Sequence, residues 1–220
     1  MGLVEFAAAK ALASSAAFLF TTLLLMAAAK RISTCVVLFA VQCAVITAEI
    51  LAIAYVQRSG EVLAVAILVL IVKVIAIPYA LMWIVKDIKA AGEVQSSTTP
   101  AQSVFITAGL ILLAFFAVQP YARSLRVDMN MLAAAIALLL TGAFLMVSRK
   151  KALMQVVGLL VLENGIFLAA LITTFGMPLI IEIGIAFELL MGVLLMGIFV
   201  FRIRDTFEHL DVSKLRSLRG

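Results

Sequence analysis

Apolar residues fall into seven long runs, at about 4–29, 33–57, 61–85, 103–120, 128–148, 152–175 and 178–201. Polar residues gather in the breaks between them. Each run approaches the roughly 20 residues that a helix needs to cross a bilayer. The longest break is Lys86–Gln102, KDIKAAGEVQSSTTPAQ, where Gly92, the Ser/Thr cluster and Pro100 mark a loop. SRKK at 148–151 is a short basic turn, and GMP at 176–178 is a tight one. The pattern predicts an all-α, polytopic membrane protein with about seven transmembrane helices. Its expected parts are a three-helix module at 1–88, a polar linker plus spacer helix at 89–127, a second three-helix module at 128–203 and a polar tail at 204–220.

Composition agrees with this reading. The chain is 65% hydrophobic and 13% charged, with a mean hydropathy of +1.24. A soluble domain of this length has no way to hide so much apolar surface. The first run does not read as a signal peptide. No basic residue precedes Lys10, Glu5 is acidic, and the apolar stretch after Lys10 is too long for an h-region. A retained helix is expected.

The net charge of +5 is a topology signal rather than a nucleic-acid one. If the C-terminus is cytoplasmic, the helix ends on that side carry Lys30, Arg31, Lys86, Lys89, Arg149, Lys150, Lys151, Arg202, Arg204, Lys214, Arg216 and Arg219. The other side carries Lys10, Arg58, Arg123 and Arg126. This imbalance places the N-terminus outside and the C-terminus inside. Aromatic residues interleaved with the basic ones, as nucleic-acid stacking needs, are missing. Cys35 and Cys43 lack CxxC spacing and read as small apolar packers. His209 stands alone in the tail. GxGxxG, Walker and GxSxG motifs are absent, so no cofactor or metal is expected in this chain.

Candidate chemistry lies inside the runs. Lys73 is central in the third run, Glu163 in the sixth, and Glu188 is close to the centre of the seventh. Glu182 and Glu49 sit nearer the outer side. Asn164 and Gln42 add polar groups at depth. A charge at the bilayer centre costs about 2.5–3.5 kcal/mol on insertion scales, so such groups must face the bundle interior, pair or line water. Desolvation moves carboxylic acids and amines toward neutral pKa values, which suits groups that exchange protons rather than cleave bonds. Gly184 and Gly192 flank Glu188 at helical spacing, and Pro78 withholds an N–H one turn beyond Lys73. A plainer reading stays open: a lysine and a glutamate at equal depth form an ion pair that only locks two helices together.

The two three-helix modules also resemble each other in layout. An offset of 115 places Lys73 on Glu188; an offset of 121 places Gln42 on Glu163 and Cys43 on Asn164. This is the pattern of a parallel three-helix duplication.

The rear of the chain resembles the small membrane subunit K/4L of respiratory complex I. The resemblance rests on a basic turn, LEN at 162–164 and AFE at 186–188. Over the whole seven-helix layout the chain is similar to the hydrogenase-4 component E family. The resemblance implies a non-catalytic membrane subunit in a bacterial or archaeal plasma membrane. Glu188 and Glu163 would be exchangeable sites on a mid-membrane proton path, with Lys73 as a biasing charge. The implied partners are antiporter-like and other membrane subunits and peripheral hydrogenase-like subunits, which would hold the nickel–iron centre and iron–sulfur clusters. In the family pattern the first glutamate falls where this chain has Leu160. Lys73 has no counterpart in the three-helix subunit. An independent small-solute or cation carrier, and a purely structural anchor, are the competing classes.

Overall fold

The computed structural model describes residues 3–87, 94, 96–125 and 127–174. These residues form α1 (Leu3–Ala28), α2 (Ile32–Gln57), α3 (Gly60–Val69), a π-helical segment (Leu70–Ala76), α4 (Ile77–Asp87), α5 (Pro100–Leu125), α6 (Met129–Ser148) and α7 (Ala152–Thr174). The α3, π and α4 pieces follow one another without a break, so each of the first six apolar runs becomes one long helix. Among the described residues five spans, from Ile32, Gly60, Pro100, Met129 and Ala152, are long and apolar enough to cross a membrane, and Ser14–Ala28 is a shorter apolar helix. Among the described residues the only extended pairing is an isolated bridge between Ser96 and Arg149. The seventh run, with Glu182 and Glu188, lies outside the described residues.

Helix boundaries follow local chemistry. Arg58 closes α2 in the left-handed region at φ 50°, and the Ser59 hydroxyl accepts from the Val62 N–H at 3.4 Å to open α3. Two residues thus turn the chain through a hairpin. Asp128 caps α6 by accepting from the Met131 N–H at 2.9 Å. Helix α5 starts at Pro100, ahead of the expected position 103, because Thr99 and Gln102 form a capping box. The Gln102 N–H donates to Thr99 Oγ1 at 3.3 Å, and the Thr99 N–H donates to Gln102 Oε1 at 2.9 Å. Pro100 occupies the first helical position, where its missing N–H costs nothing.

Exposed aromatic side chains mark the two ends of the bundle. Tyr55 near the end of α2 and Tyr121 near the end of α5 are exposed at one end, and Trp83 near the end of α4 at the other. Amphipathic rings at both helix ends are the pattern of membrane–water interfaces.

Packing centres on α6 and α7. Ala133, Ala134, Ala135, Ala137, Leu138 and Leu145 of α6 are fully buried, as are Met154, Val157, Leu160 and Val161 of α7. Around this pair, α1 lies against α2, α5 and α6, while α2 also contacts the α3–α4 rod and α7. The helices that the sequence repeat equates, α1 with α6 and α2 with α7, therefore pack side by side.

The basic-turn end is stitched by Arg149. Its side chain is buried at 3% exposure, and Nη2 donates to the Ala27 carbonyl at the end of α1 at 3.0 Å. Burial draws the guanidinium below its ordinary pKa, and the nearby Cys35 thiol opposes that shift. Two residues between α4 and α5 bond to the same end: the Val94 N–H donates to the Lys30 carbonyl at 2.8 Å and the Ser97 N–H to the Ser148 carbonyl at 2.9 Å. A cation on a helix C-terminal carbonyl joins a charge-assisted bond to a favourable dipole interaction. Arg149→Met is expected to destabilise the protein by about 2 kcal/mol, the scale of a hydrogen bond to a charged group. Thermal unfolding of the detergent-solubilised protein measures it; an unchanged midpoint would show that the stitch contributes nothing.

Candidate functional site

The third helix is disturbed where its proline sits. Pro78 has no N–H, and its ring crowds the carbonyl one turn back, at Val74. The chain answers with the wider π winding over Leu70–Ala76, in which the Ile77 N–H reaches the Val72 carbonyl. Pi segments inside α-helices are frequent at functional sites. Lys73 lies in the middle of this one and is buried.

Lys73 meets α7 at its midpoint. Its Nζ lies 3.1 Å from Glu163 Oε1, and both side chains are nearly fully buried. The same ammonium donates to Asn164 Oδ1 at 3.2 Å and stands 5.3 Å from the Phe167 ring centroid, within cation–π range. Phe167 lies three residues after Asn164 and four after Glu163, so it shares a helix face with each of them. Glu163 is equidistant from Ala152 and Thr174, the two ends of α7. The pair is thus deep between three elements, α2, the π segment and α7.

Cys43 supplies the α2 contact. The Asn164 Nδ2 donates to Cys43 Sγ at 3.3 Å. Cys43, expected from the sequence to be an apolar packer, is a buried polar contact of the site. It is also the residue that the 121-residue offset aligns with Asn164, and the two aligned residues touch. Leu160, where the family pattern places its first glutamate, is fully buried in α7. Glu163, three residues on, is the carboxylate that faces Lys73.

The secondary residues occupy a different seam. Gln42 Nε2 donates to Thr22 Oγ1 at 3.1 Å, and Ser15 Oγ donates to Glu49; both contacts join α1 to α2. Ser15 and Thr22 were not singled out in the sequence. Their signal was available: they are seven residues apart on α1, as Gln42 and Glu49 are on α2. Glu182 and Glu188 lie outside the described residues. No three or more His, Cys, Asp or Glu side chains among the described residues converge as a metal site.

Comparisons with known proteins fit this architecture. The chain is 36% identical over 168 residues to the uncharacterized protein Rv0085 of Mycobacterium tuberculosis, covering 74% of this chain and 75% of that one. It is 29% identical over 151 residues to hydrogenase-4 component E of Escherichia coli K12, covering 68% of this chain and 70% of that one, with the same figures for the Shigella flexneri protein of that name. No family model matches the chain, and no solved structure matches it. The chain therefore belongs to one family with the Mycobacterium tuberculosis protein and is homologous to hydrogenase-4 component E.

Proposed function

We propose that this chain is a non-catalytic membrane subunit of a hydrogenase-type complex, in which Lys73 and Glu163 form part of a mid-membrane proton or cation path. Electron transfer, nickel–iron and iron–sulfur chemistry would reside in peripheral partner subunits, and antiporter-like subunits would continue the path sideways. The charge asymmetry favours a plasma membrane with the N-terminus outside. Glu188, outside the described residues, is the second exchangeable site that the family resemblance supplies.

The observation that carries the reading is the buried Lys73–Glu163 contact at 3.1 Å in the middle of α7. Two opposite charges in so buried a site have two forms, an ion pair and a neutral amine–acid pair, related by one proton transfer. A proton or cation arriving nearby changes which form is favoured, so the pair responds to charge moving past it. The π winding under Lys73 gives this ammonium a backbone less tightly laddered than the helices around it.

The test is Glu163→Gln in membrane vesicles that hold the assembled complex. Electron transfer is expected to persist while proton translocation per electron is largely lost. Wild-type stoichiometry in that variant ends the relay reading.

A further inference from the structure

The α1–α2 seam carries a polar column that the central pair does not use. Ser15 meets Glu49, and Thr22 meets Gln42. Seven residues separate the rungs on each helix, and the antiparallel register is kept from one rung to the next. That places Glu49 about 10 Å from Gln42 along the axis, toward the bundle end that holds the α2–α3 hairpin. Glu49 is half-buried, whereas Gln42 is wholly buried.

Gln42 is oriented by its neighbour. The Thr22 hydroxyl spends its single hydrogen on the Leu19 carbonyl at 2.8 Å, so toward Gln42 it acts as an acceptor, which fixes the amide NH2 on Thr22. The amide oxygen therefore points the other way, and Gln42 Oε1 is buried with no hydrogen-bond partner among the described residues. A buried acceptor in that position is costly unless something donates to it. The next residue, Cys43, touches Asn164, which in turn touches Lys73. Between the rungs stand Leu19 and Ile46, both fully buried.

We propose that this seam is an outward branch of the path: Glu49 is its terminal proton-exchanging carboxylate, Gln42 Oε1 anchors the water that links it to the Lys73–Glu163 pair, and Leu19 with Ile46 form an apolar gate between them. This inference rests on the relay reading above. Gln42 carries no proton itself; it orders the water through which one moves. The apolar layer keeps the branch dry until a water file enters, as hydrophobic constrictions do when they gate by dewetting. Glu49 then exchanges the proton with the aqueous side.

The experiment compares variants of the full chain in the assembled complex in membrane vesicles. Glu49→Gln keeps the acceptor for Ser15 but removes the titratable proton. Proton translocation per electron should be largely lost, with assembly and electron transfer retained, and Glu49→Asp should recover a large part. Gln42→Leu should cause a similar loss. Ser15→Ala removes the hydrogen bond but leaves the carboxyl, and should translocate as wild type. If Ser15→Ala is as damaging as Glu49→Gln, the rung is only a helix lock and the proposal falls. If Glu49→Gln is normal while Glu163→Gln is not, the branch is wrong and the central relay stands. If both are normal, the relay and its branch fall together.

Discussion

Lys73→Met alone is expected to destabilise the protein by about 3–5 kcal/mol, the range for breaking a buried ion pair from one side. The physical cause is the partner left behind. Glu163 is 2% exposed, so bulk solvent does not take the place of the ammonium; the carboxyl escapes part of the penalty by taking up a proton. Combining Lys73→Met with Glu163→Leu removes both polar ends at similar volume, which is often neutral or stabilising. Most of the lost stability should therefore return in the double variant, as read from thermal unfolding in detergent. Proton translocation should not return with it. That separation decides between a relay and a lock: a double variant that regains both stability and translocation would show that the pair only holds α7 to the third helix.

Much of this was legible in the sequence. Long apolar runs show directly because a helix in lipid must be apolar all round, and six of the seven runs coincide with described helices. The depth of Lys73 and Glu163 was readable from their places within runs. Which glutamate Lys73 meets was not: an ion pair at equal depth was one of the expectations, but depth fixes height along the membrane normal and leaves open which helices are neighbours. Pro78 signalled a disturbed ladder, but its form as a π segment over Leu70–Ala76 depends on how neighbouring helices accept the altered winding. Cys43 was hidden because a small residue of either polarity fits an apolar run equally well, whereas Thr22 was readable only through its seven-residue spacing from Ser15. Thr99 and Gln102 show the reverse: the TPAQ signature was present in plain view and set the start of α5 inside what composition alone marked as loop.

The structure points to a second large effect, away from any charge. Helices α6 and α7 approach almost backbone to backbone. A Cβ added at Gly142 would lie 2.4 Å from the Leu162 nitrogen and 2.7 Å from the Gly158 oxygen. One added at Gly165 would lie 2.6 Å from the Leu139 nitrogen and 2.7 Å from the Ala135 oxygen. These are backbone atoms, with no flexible side chain to yield. Glycines at such crossings let helices associate where the hydrophobic effect gives no help. Gly142→Ala and Gly165→Ala are each expected to cost about 1–3 kcal/mol, as overpacking does, and the pair together more. Gly109 on α5 is the control, because its added Cβ meets nothing within 4 Å; Gly109→Ala should instead be neutral or raise stability by up to about 1 kcal/mol. The functional consequence follows from sequence position. Gly165 directly follows Asn164, so a helix pushed off α6 at that point carries Glu163 and Asn164 with it. Gly165→Ala should thus reduce translocation even with every titratable group in place. Vesicle translocation together with thermal unfolding checks it, and a Gly165→Ala protein as stable and as well coupled as wild type would mean that α6 and α7 are not in this close contact.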